Sequence, residues 1–343
     1  MHMADALLSP AVGGTMCAVS AGTIIYCSHK VRTEFDERKT PLMGVLGAFI
    51  FAAQMINFSI PATGSSGHLG GGLILSILLG PHAAFLVIAS VLVVQALFFA
   101  DGGLLALGCN IFNLGFFPAF IAYPFIYRKL VGERRGRSRI TVAAISAATA
   151  GLTLGAFAVV LETVASGVSA LPFATFVTLM LPIHLAIGVV EGVVTATVIY
   201  LVATARPEML LRTLDSTPAG VRYVRSAAVS FLVVALLTGG VFSWFASASP
   251  DGLEWSISRL TGKEEIKGPE QGVHGVAAAL QEKLAVFPDY TFKKPAEADT
   301  GRESGRNRES ISPGTSVAGI TGGLITLALA FLSGFLLKSV PRR

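Results

Sequence analysis

The chain alternates long apolar runs with short polar connections. The apolar runs lie at roughly 5–27, 42–60, 69–80, 83–100, 104–127, 140–165, 173–204, 226–248 and 316–337. A helix needs about 20 apolar residues to cross a bilayer, and Asp101 is the only charged residue from Thr40 to Tyr127. The pattern predicts an all-α, polytopic membrane bundle of about nine hydrophobic segments. The run at 69–80 is too short to cross alone, which favours a half-helix or re-entrant segment buried in protein.

Lysine and arginine are distributed unevenly among the connections. The segments at 28–41, 128–139, 205–225 and 338–343 hold four, six, four and three of them, whereas the alternate connections near 61–68, 101–103 and 166–172 hold none. The positive-inside rule therefore places the basic segments in the cytoplasm. If 69–80 counts as a crossing, the N-terminus lies outside and the C-terminus inside.

The charged residues also divide the chain into parts. The segment 250–309 carries 20 of the 47 charged residues, and the predicted alternation places it outside the cell. We therefore predict a membrane body at 1–204, a cytoplasmic linker at 205–225 and an appended two-helix module at 226–343. The polar, extracytoplasmic part of that module is 249–315.

The chain starts without the positively charged region of a signal peptide, so we expect the first helix and its outward-facing amino group to be retained.

Composition excludes several classes of protein. Hydrophobic residues make up 52% of the chain and charged residues 14%, compared with about 25% charged residues in ordinary soluble domains. A soluble enzyme of this size has no means of burying so much apolar sequence. The net charge of +5 is explained by membrane topology, so we expect no nucleic-acid partner. The three cysteines lie in apolar runs at spacings that form no thiol metal motif.

His2 is the first candidate for chemistry. The amino group of Met1, the amide nitrogen of residue 2 and an imidazole nitrogen of residue 2 can all reach one metal ion, closing adjacent five- and six-membered chelate rings. These donors occupy three corners of a square and leave the fourth for an outside donor. Ni(II) and Cu(II) are the metals that favour such square-planar nitrogen sites, with Co(II) less typical.

His68 is the candidate for the fourth donor. It lies in the glycine-rich segment 60–72, on the predicted outer side with Met1. Glycines in such a loop allow the backbone to turn tightly or to approach a ligand closely. The hydroxyls of Ser65 and Ser66 can supply hydrogen bonds that orient the imidazole. A phosphate-binding loop is the competing interpretation, but the segment lacks the lysine of a P-loop.

Several motifs in this order resemble the CbiM/NikM family of metal-binding membrane subunits of energy-coupling-factor transporters for nickel or cobalt. The resemblance covers about 1–205. It rests on Met1-His2-Met3, Gln54–Phe58, Ile60–Gly72, Asp101–Asn110, Pro182-Ile183-His184 and Glu191-Gly192. One departure is Asp5 with Ser9-Pro10, where relatives often carry Glu-Gly and a pair of prolines. The appended module resembles the small NikN/CbiN component and carries a Pro-Asp-Gly-Leu-Glu signature at 250–254.

The resemblance implies a substrate, a site and partners. It implies that Ni(II) or Co(II) is captured from outside and held by the amine of Met1, the amide and imidazole of His2, and His68. It also implies a transmembrane coupling subunit and two cytoplasmic ATPase subunits, location in the cell membrane of a prokaryote, and a link to cobalamin biosynthesis. No prosthetic group is expected, because the metal is the cargo. Square-planar nitrogen ligation slightly favours nickel over cobalt.

Other polar groups in the apolar runs are candidates for supporting roles. Asn57 and Asn110 either hydrogen-bond the ligands or join helices. His184 and Glu191 are seven residues apart, so on a helix they share a face. Ionisable groups inside a membrane are candidates for function, and a structural pair is the alternative.

Two rival functions remain at this point. A membrane-anchored sensor that works through the outer segment 250–309 would not need the free amine. A membrane enzyme would need a catalytic cluster near the bilayer midplane, and only His184 with Glu191 offers one. Because the chain has no nucleotide-binding motif, an uphill transporter must take its ATPase from partners.

Overall fold

A computed structural model describes residues 1–33, 39–132, 136–205, 221–263, 266, 268–269, 271–293 and 313–339. The all-α prediction is confirmed. The main helices are α1 (Pro10–Thr33), α2 (Lys39–Gln54), α3 (Gly72–Leu79), α4 (Pro81–Phe99), α5 (Leu107–Val131), α6 (Arg137–Ser166), α7 (Phe173–Ala205), α8 (Val221–Gly240), α9 (Gly252–Thr261), α10 (Gly272–Leu284) and α11 (Pro313–Ser339). Short 3₁₀ turns cover Asp5–Leu7, Phe242–Phe245 and Pro288–Tyr290.

Six of these helices are long and apolar enough to cross a membrane: α1, α4, α5, α6, α7 and α11. Two further apolar helices, Thr40–Gln54 and Arg225–Gly240, are shorter. The protein is therefore a multi-pass membrane protein. Nine crossings and the direction of the bundle stay predictions.

The predicted short run at 69–80 forms α3, all of whose residues are buried. Eight residues of helix span about 12 Å, less than half of the roughly 30 Å hydrocarbon core. Gly80, with φ of +86°, separates α3 from α4, and Pro81 then begins α4. Proline is favoured at the first helical position because its missing N–H has no partner there. This break makes α3 a half-helix enclosed by the rest of the bundle.

Close helix contacts hold the body together. The middle of α5, Phe112–Tyr127, is a π-helix that contains Pro118 and Pro124. Helices α6 and α7 pack along their length, and Gly188 of α7 allows this approach. A Cβ atom at that position would lie 2.6 Å from Cα of Thr149 on α6. Small residues let the backbones of membrane helices approach in this way.

The appended module packs onto the body. Its two long helices, α8 and α11, contact each other and α2, and they cross where Gly239 meets Gly319. The short helices α9 and α10 lie at the end of the bundle that carries Met1. The described residues leave out most of the predicted linker at 205–225. They also leave out residues 294–312 of the polar segment.

The glycine-rich loop contains a small hairpin. Strand β1 (Phe58–Ile60) pairs with β2 (Ser65–Gly67) in antiparallel register, with Phe58 opposite Gly67. Ser66 of β2 also forms an isolated parallel bridge with Asp251 of the module. The hairpin therefore leads the chain into His68 and docks against the module at the same time.

Candidate metal centre

The amino group of Met1 lies at the centre of the candidate site. It is 3.0 Å from Nε2 of His68 and donates a hydrogen bond to Oδ2 of Asp251 over 2.6 Å. Met1 is 4% exposed, so the amino group is held inside the protein. The fold brings together two of the predicted ligands from positions 67 residues apart, and it adds a carboxylate from the module.

The imidazole of His68 presents a lone pair to that amino group. Its Nδ1 lies 3.1 Å from the carbonyl oxygen of Leu69. With Nδ1–H donating to this carbonyl, Nε2 carries the lone pair that faces Met1. Burial lowers the pKa of His68 below its ordinary value, and the nearby amino group of Met1 lowers it further. The ring is therefore neutral near pH 7, the form that binds metals.

His2 stacks on His68. The two ring centroids are 5.0 Å apart and the ring planes differ by 4°. Nδ1 of His2 pairs with Oδ1 of Asp101 over 3.0 Å, and Nε2 has no hydrogen-bond partner among the described residues. The predicted six-membered chelate ring requires Nδ1 of His2 as the donor. Because that nitrogen faces Asp101, chelation would require the ring to turn.

Two aspartates border the site, and neither was predicted from the sequence as a site residue. Burial alone would raise the pKa of Asp101, but His2 and a hydrogen bond from Tyr290 hold it well below its usual range. Burial would also raise the pKa of Asp251, but the amino group of Met1 and His68 keep it low. Both carboxylates are therefore charged beside the candidate ligands. Asp101 had a signal in the sequence, because it is the only charge in an apolar stretch of 88 residues.

Glu191 supports the loop that carries His68. Its carboxylate accepts hydrogen bonds from the amides of Gly70, at 2.9 Å, and Gly71, at 3.0 Å. The side chain is 1% exposed. A buried carboxylate that accepts two backbone bonds joins α7 firmly to the glycine-rich loop. Glu191 therefore acts on the site through the backbone next to His68.

His184 lies on the same helix as Glu191 but makes different contacts. Its Nδ1 donates to the carbonyl oxygen of Met180 over 2.8 Å, and Nε2 lacks a hydrogen-bond partner in the described part of the chain. His184 lines a cavity with Met1, His68 and Asp251. The predicted shared face is present, but Glu191 binds the loop while His184 forms a wall of the cavity.

The two serines do not orient the imidazole of His68 as expected. Ser66 Oγ donates to the carbonyl oxygen of Ser249 over 2.7 Å, and Ser65 Oγ donates to the carbonyl oxygen of Ser66 over 3.1 Å. The reason is the hairpin, which turns these hydroxyls towards the module and leaves Leu69 to bind the ring. Both serines thus dock the module onto the loop.

Asn110 bonds to the residue that follows His2, and Asn57 bonds to the module. Asn110 accepts a hydrogen bond from the amide of Met3 at 2.8 Å and donates to its carbonyl oxygen at 3.2 Å. It therefore positions the chain immediately after His2. Asn57 contacts the module through its backbone, where its carbonyl oxygen accepts from Ser247 N at 2.7 Å.

Side chains alone do not form a metal site here. Within the described ranges, no group of three or more His, Cys, Asp or Glu residues is arranged to hold a metal ion. A metal ion between Met1, His2 and His68 would therefore depend on main-chain nitrogen donors as well as on the two imidazoles.

Family comparisons cover nearly the whole chain. Residues 2–209 match a family model described as the cobalt uptake substrate-specific transmembrane region. Residues 225–339 match the PDGLE domain. The first match covers the segment that carries His2, His68 and Glu191, and the second covers the segment that carries Asp251.

Individual relatives agree with these matches. A protein of Rhodobacter capsulatus named fused nickel transport protein NikMN is 30% identical over 84% of this chain and 88% of its own length. A relative in Archaeoglobus fulgidus is 32% identical over 96% of this chain and 97% of its own length. A crystal structure described as a transition metal transporter is similar with a TM-score of 0.54 and 30% identity, over 63% of this chain and 98% of that one.

Proposed function

The chain belongs to the CbiM family of cobalt-uptake substrate-specific membrane proteins, joined to a PDGLE domain, and from this premise we propose that it is the metal-capturing subunit of an ATP-driven energy-coupling-factor importer for Ni(II) or Co(II). Proteins of this family are transporter components that work with partners, and the relatives are named as metal transport proteins. The chain is therefore a transporter subunit and not an enzyme.

The proposed donors are the amine of Met1, the amide nitrogen of His2, Nδ1 of His2 and Nε2 of His68. The observation that carries the proposal is the 3.0 Å distance between Met1 N and His68 Nε2. Metal–nitrogen bonds of about 2.0 Å place neighbouring corners of a square about 2.8 Å apart. The amine and His68 are thus separated as neighbouring corners are, and the chelate of residues 1 and 2 would fill the other two.

Nickel is the favoured cargo within this proposal. Binding through a main-chain amide nitrogen requires that the amide lose its proton, and the planar geometry that results suits Ni(II) better than Co(II). Affinity in vitro does not identify the natural cargo, because Cu(II) binds nitrogen donors more tightly than either. Selectivity between nickel and cobalt therefore has to be measured as metal uptake by cells.

The energy for uphill transport comes from partners in this proposal. We assign ATP hydrolysis to two cytoplasmic ATPase subunits and force transmission to a transmembrane coupling subunit. The metal is cargo, so the chain needs no prosthetic group. In the proposed cycle, the outward-facing site captures the ion, the glycine-rich loop closes, and the partners then reorient the subunit.

The decisive experiment compares the free amine with a blocked one. Purified protein with its native N-terminus and a copy extended by a few residues before Met1 are titrated with Ni(II) and Co(II), and visible spectra report the coordination geometry. The same residues added at the C-terminus are the matched control. Loss of tight binding in the N-terminally extended copy and in His68→Ala supports the proposal. Equal binding by the native and the N-terminally extended protein would overturn it.

A further inference from the structure

The module touches the candidate metal site at two points. Asp251, in the turn before α9, accepts a hydrogen bond from the amino group of Met1 at 2.6 Å. Tyr290 donates to Oδ2 of Asp101 at 2.5 Å, and the other oxygen of Asp101 pairs with His2 Nδ1. One contact thus reaches the amine directly and the other reaches the imidazole of His2 through a carboxylate.

The two oxygens of Asp251 have separate tasks. Oδ1 accepts from the amides of Leu253 and Glu254, at 2.8 and 2.9 Å, and so caps the N-terminus of α9. Glu254 completes the capping box by accepting from the amide of Asp251 at 3.1 Å. This cap holds the side chain in one orientation. Oδ2 is thereby aimed at the amine, and helix capping and the amine contact are chemically separable.

The backbone of the same turn is joined to the loop that carries His68. The amide of Ser66 donates to the carbonyl oxygen of Pro250 over 2.7 Å, and Trp255 Nε1 donates to the carbonyl oxygen of Thr63 over 2.9 Å. These bonds set the position of Asp251 relative to the β1–β2 hairpin. The carboxylate therefore meets the amine in a frame that also contains His68.

Tyr290 is fixed in place by contacts with the membrane body. It is 8% exposed, and its ring stacks on Phe99 with centroids 5.0 Å apart. Gln95 Nε2 lies 3.3 Å from the phenol oxygen. Phe287, in the same turn, donates its amide to the carbonyl oxygen of Phe98 over 3.0 Å. The phenol therefore approaches Asp101 from a rigid support.

We infer that the appended module completes the metal site, with Asp251 as the positioning residue for the amine of Met1. Through Tyr290 the module also fixes Asp101, which holds Nδ1 of His2 in the orientation that chelation has to release. The inference rests on the proposed function. An amine bound to a metal keeps two N–H groups, so Asp251 still accepts one of them while the lone pair points to the ion. Carboxylates that hold a ligating histidine act in the same way.

Substitutions at Asp251 separate this role from capping. Asparagine and serine both cap helices well, but asparagine presents an NH₂ group to the amine and serine is too short to reach it. Asp251→Asn and Asp251→Ser should weaken Ni(II) binding about ten-fold or more. The melting temperature of the metal-free protein should fall as well, because the buried amine loses its charged partner, so Ni(II) binding is compared at a temperature at which every variant is folded. Glu254→Ala, which removes the bond from the amide of Asp251 to Glu254 and keeps the bonds of Asp251 Oδ1 to the backbone, is the matched control and should bind Ni(II) nearly as the parent does.

Tyr290→Phe tests the second contact, because it removes the hydroxyl and keeps the stacked ring. Because Nδ1 of His2 must leave Asp101 to bind the ion, we expect Ni(II) affinity in Tyr290→Phe to stay the same or rise. Tyr200→Phe, at a distant position on α7, is the matched control. An Ni(II) affinity that is unchanged or higher in Asp251→Asn, or about ten-fold weaker in Tyr290→Phe, would overturn the inference. Retained binding after His68→Ala and after N-terminal extension would instead defeat the proposed function.

Discussion

The imidazole of His184 packs directly against Gly252, the residue that follows Asp251. A Cβ atom at position 252 would lie 2.9 Å from Cε1 of His184 and 3.2 Å from Cγ2 of Ile183. Only glycine therefore allows the first turn of α9 to approach α7 this closely. The module and the wall of the cavity that Met1 and His68 also line meet at this contact.

Gly252→Ala should consequently push α9 away from His184 and move the Asp251 carboxylate off the amine. Inserting a methyl group into such a tight contact costs roughly 1–3 kcal/mol. We expect a lower melting temperature of the metal-free protein and weaker Ni(II) binding. Gly14→Ala is the matched control, because a Cβ at position 14 meets nothing within 4 Å. Equal effects of the two substitutions would contradict the importance of the contact.

Glu191→Gln tests the bond between α7 and the glycine-rich loop. Glutamine offers one oxygen where glutamate offers two, so the amide of Gly70 or Gly71 is left facing an NH₂ group. An unpaired buried amide costs about 1–3 kcal/mol. We expect lower thermal stability together with faster proteolysis in the segment 60–72. Thr197→Ala, on the exposed side of α7, is the control. If Glu191→Gln is as stable as the parent, the hydrogen bonds from Gly70 and Gly71 to Glu191 do not stabilise the loop.

Asp101→Asn tests the orientation of His2. The substitution removes the charge that pairs with Nδ1 of His2 at 3.0 Å, the nitrogen that chelation requires. Because Asp101 and the metal ion compete for this atom, we expect Ni(II) affinity to stay the same or rise, as measured by calorimetric titration. Glu282→Gln, at an exposed position of α10, removes a charge away from the site and should have no effect. Weaker Ni(II) binding by Asp101→Asn alone would show that Asp101 supports the bound ion and does not compete with it.

The buried state of His68 predicts a dependence of stability on pH. Because burial lowers the pKa of His68 in the folded protein, the unfolded chain takes up a proton below about pH 6.5 that the folded protein does not. The stability that His68 contributes is therefore fully present above that pH and is lost as pH falls. The slope approaches about 1.4 kcal/mol per pH unit.

Melting temperatures of metal-free protein between pH 7.5 and 5 measure this effect. His68→Gln lacks the titrating ring and should give a flatter profile than the parent. His29→Gln, a histidine substitution at an exposed position of α1, is the matched control. Identical slopes for His68→Gln and the parent would show that His68 does not titrate between the folded and unfolded states in this range.

Much of the fold was predictable from the sequence. The apolar runs predicted the main helices, including the short buried helix at 72–79, because burial in lipid or protein requires apolar side chains at nearly every position. The candidate chelate at residues 1 and 2 could also be proposed from the sequence, since its donors are neighbours along the chain. His68 stood out because it lies among glycines in an otherwise apolar region.

The tertiary structure alone decided which groups meet these donors. Asp251 reaches the amine of Met1 from 250 positions away, and Glu191 reaches Gly70 from 121 positions away. It also decided that Ser65 and Ser66 face the module and that His2 Nδ1 faces Asp101. Composition and spacing determine that a buried charge needs a partner, whereas only the packing of distant helices determines which partner comes within hydrogen-bond distance.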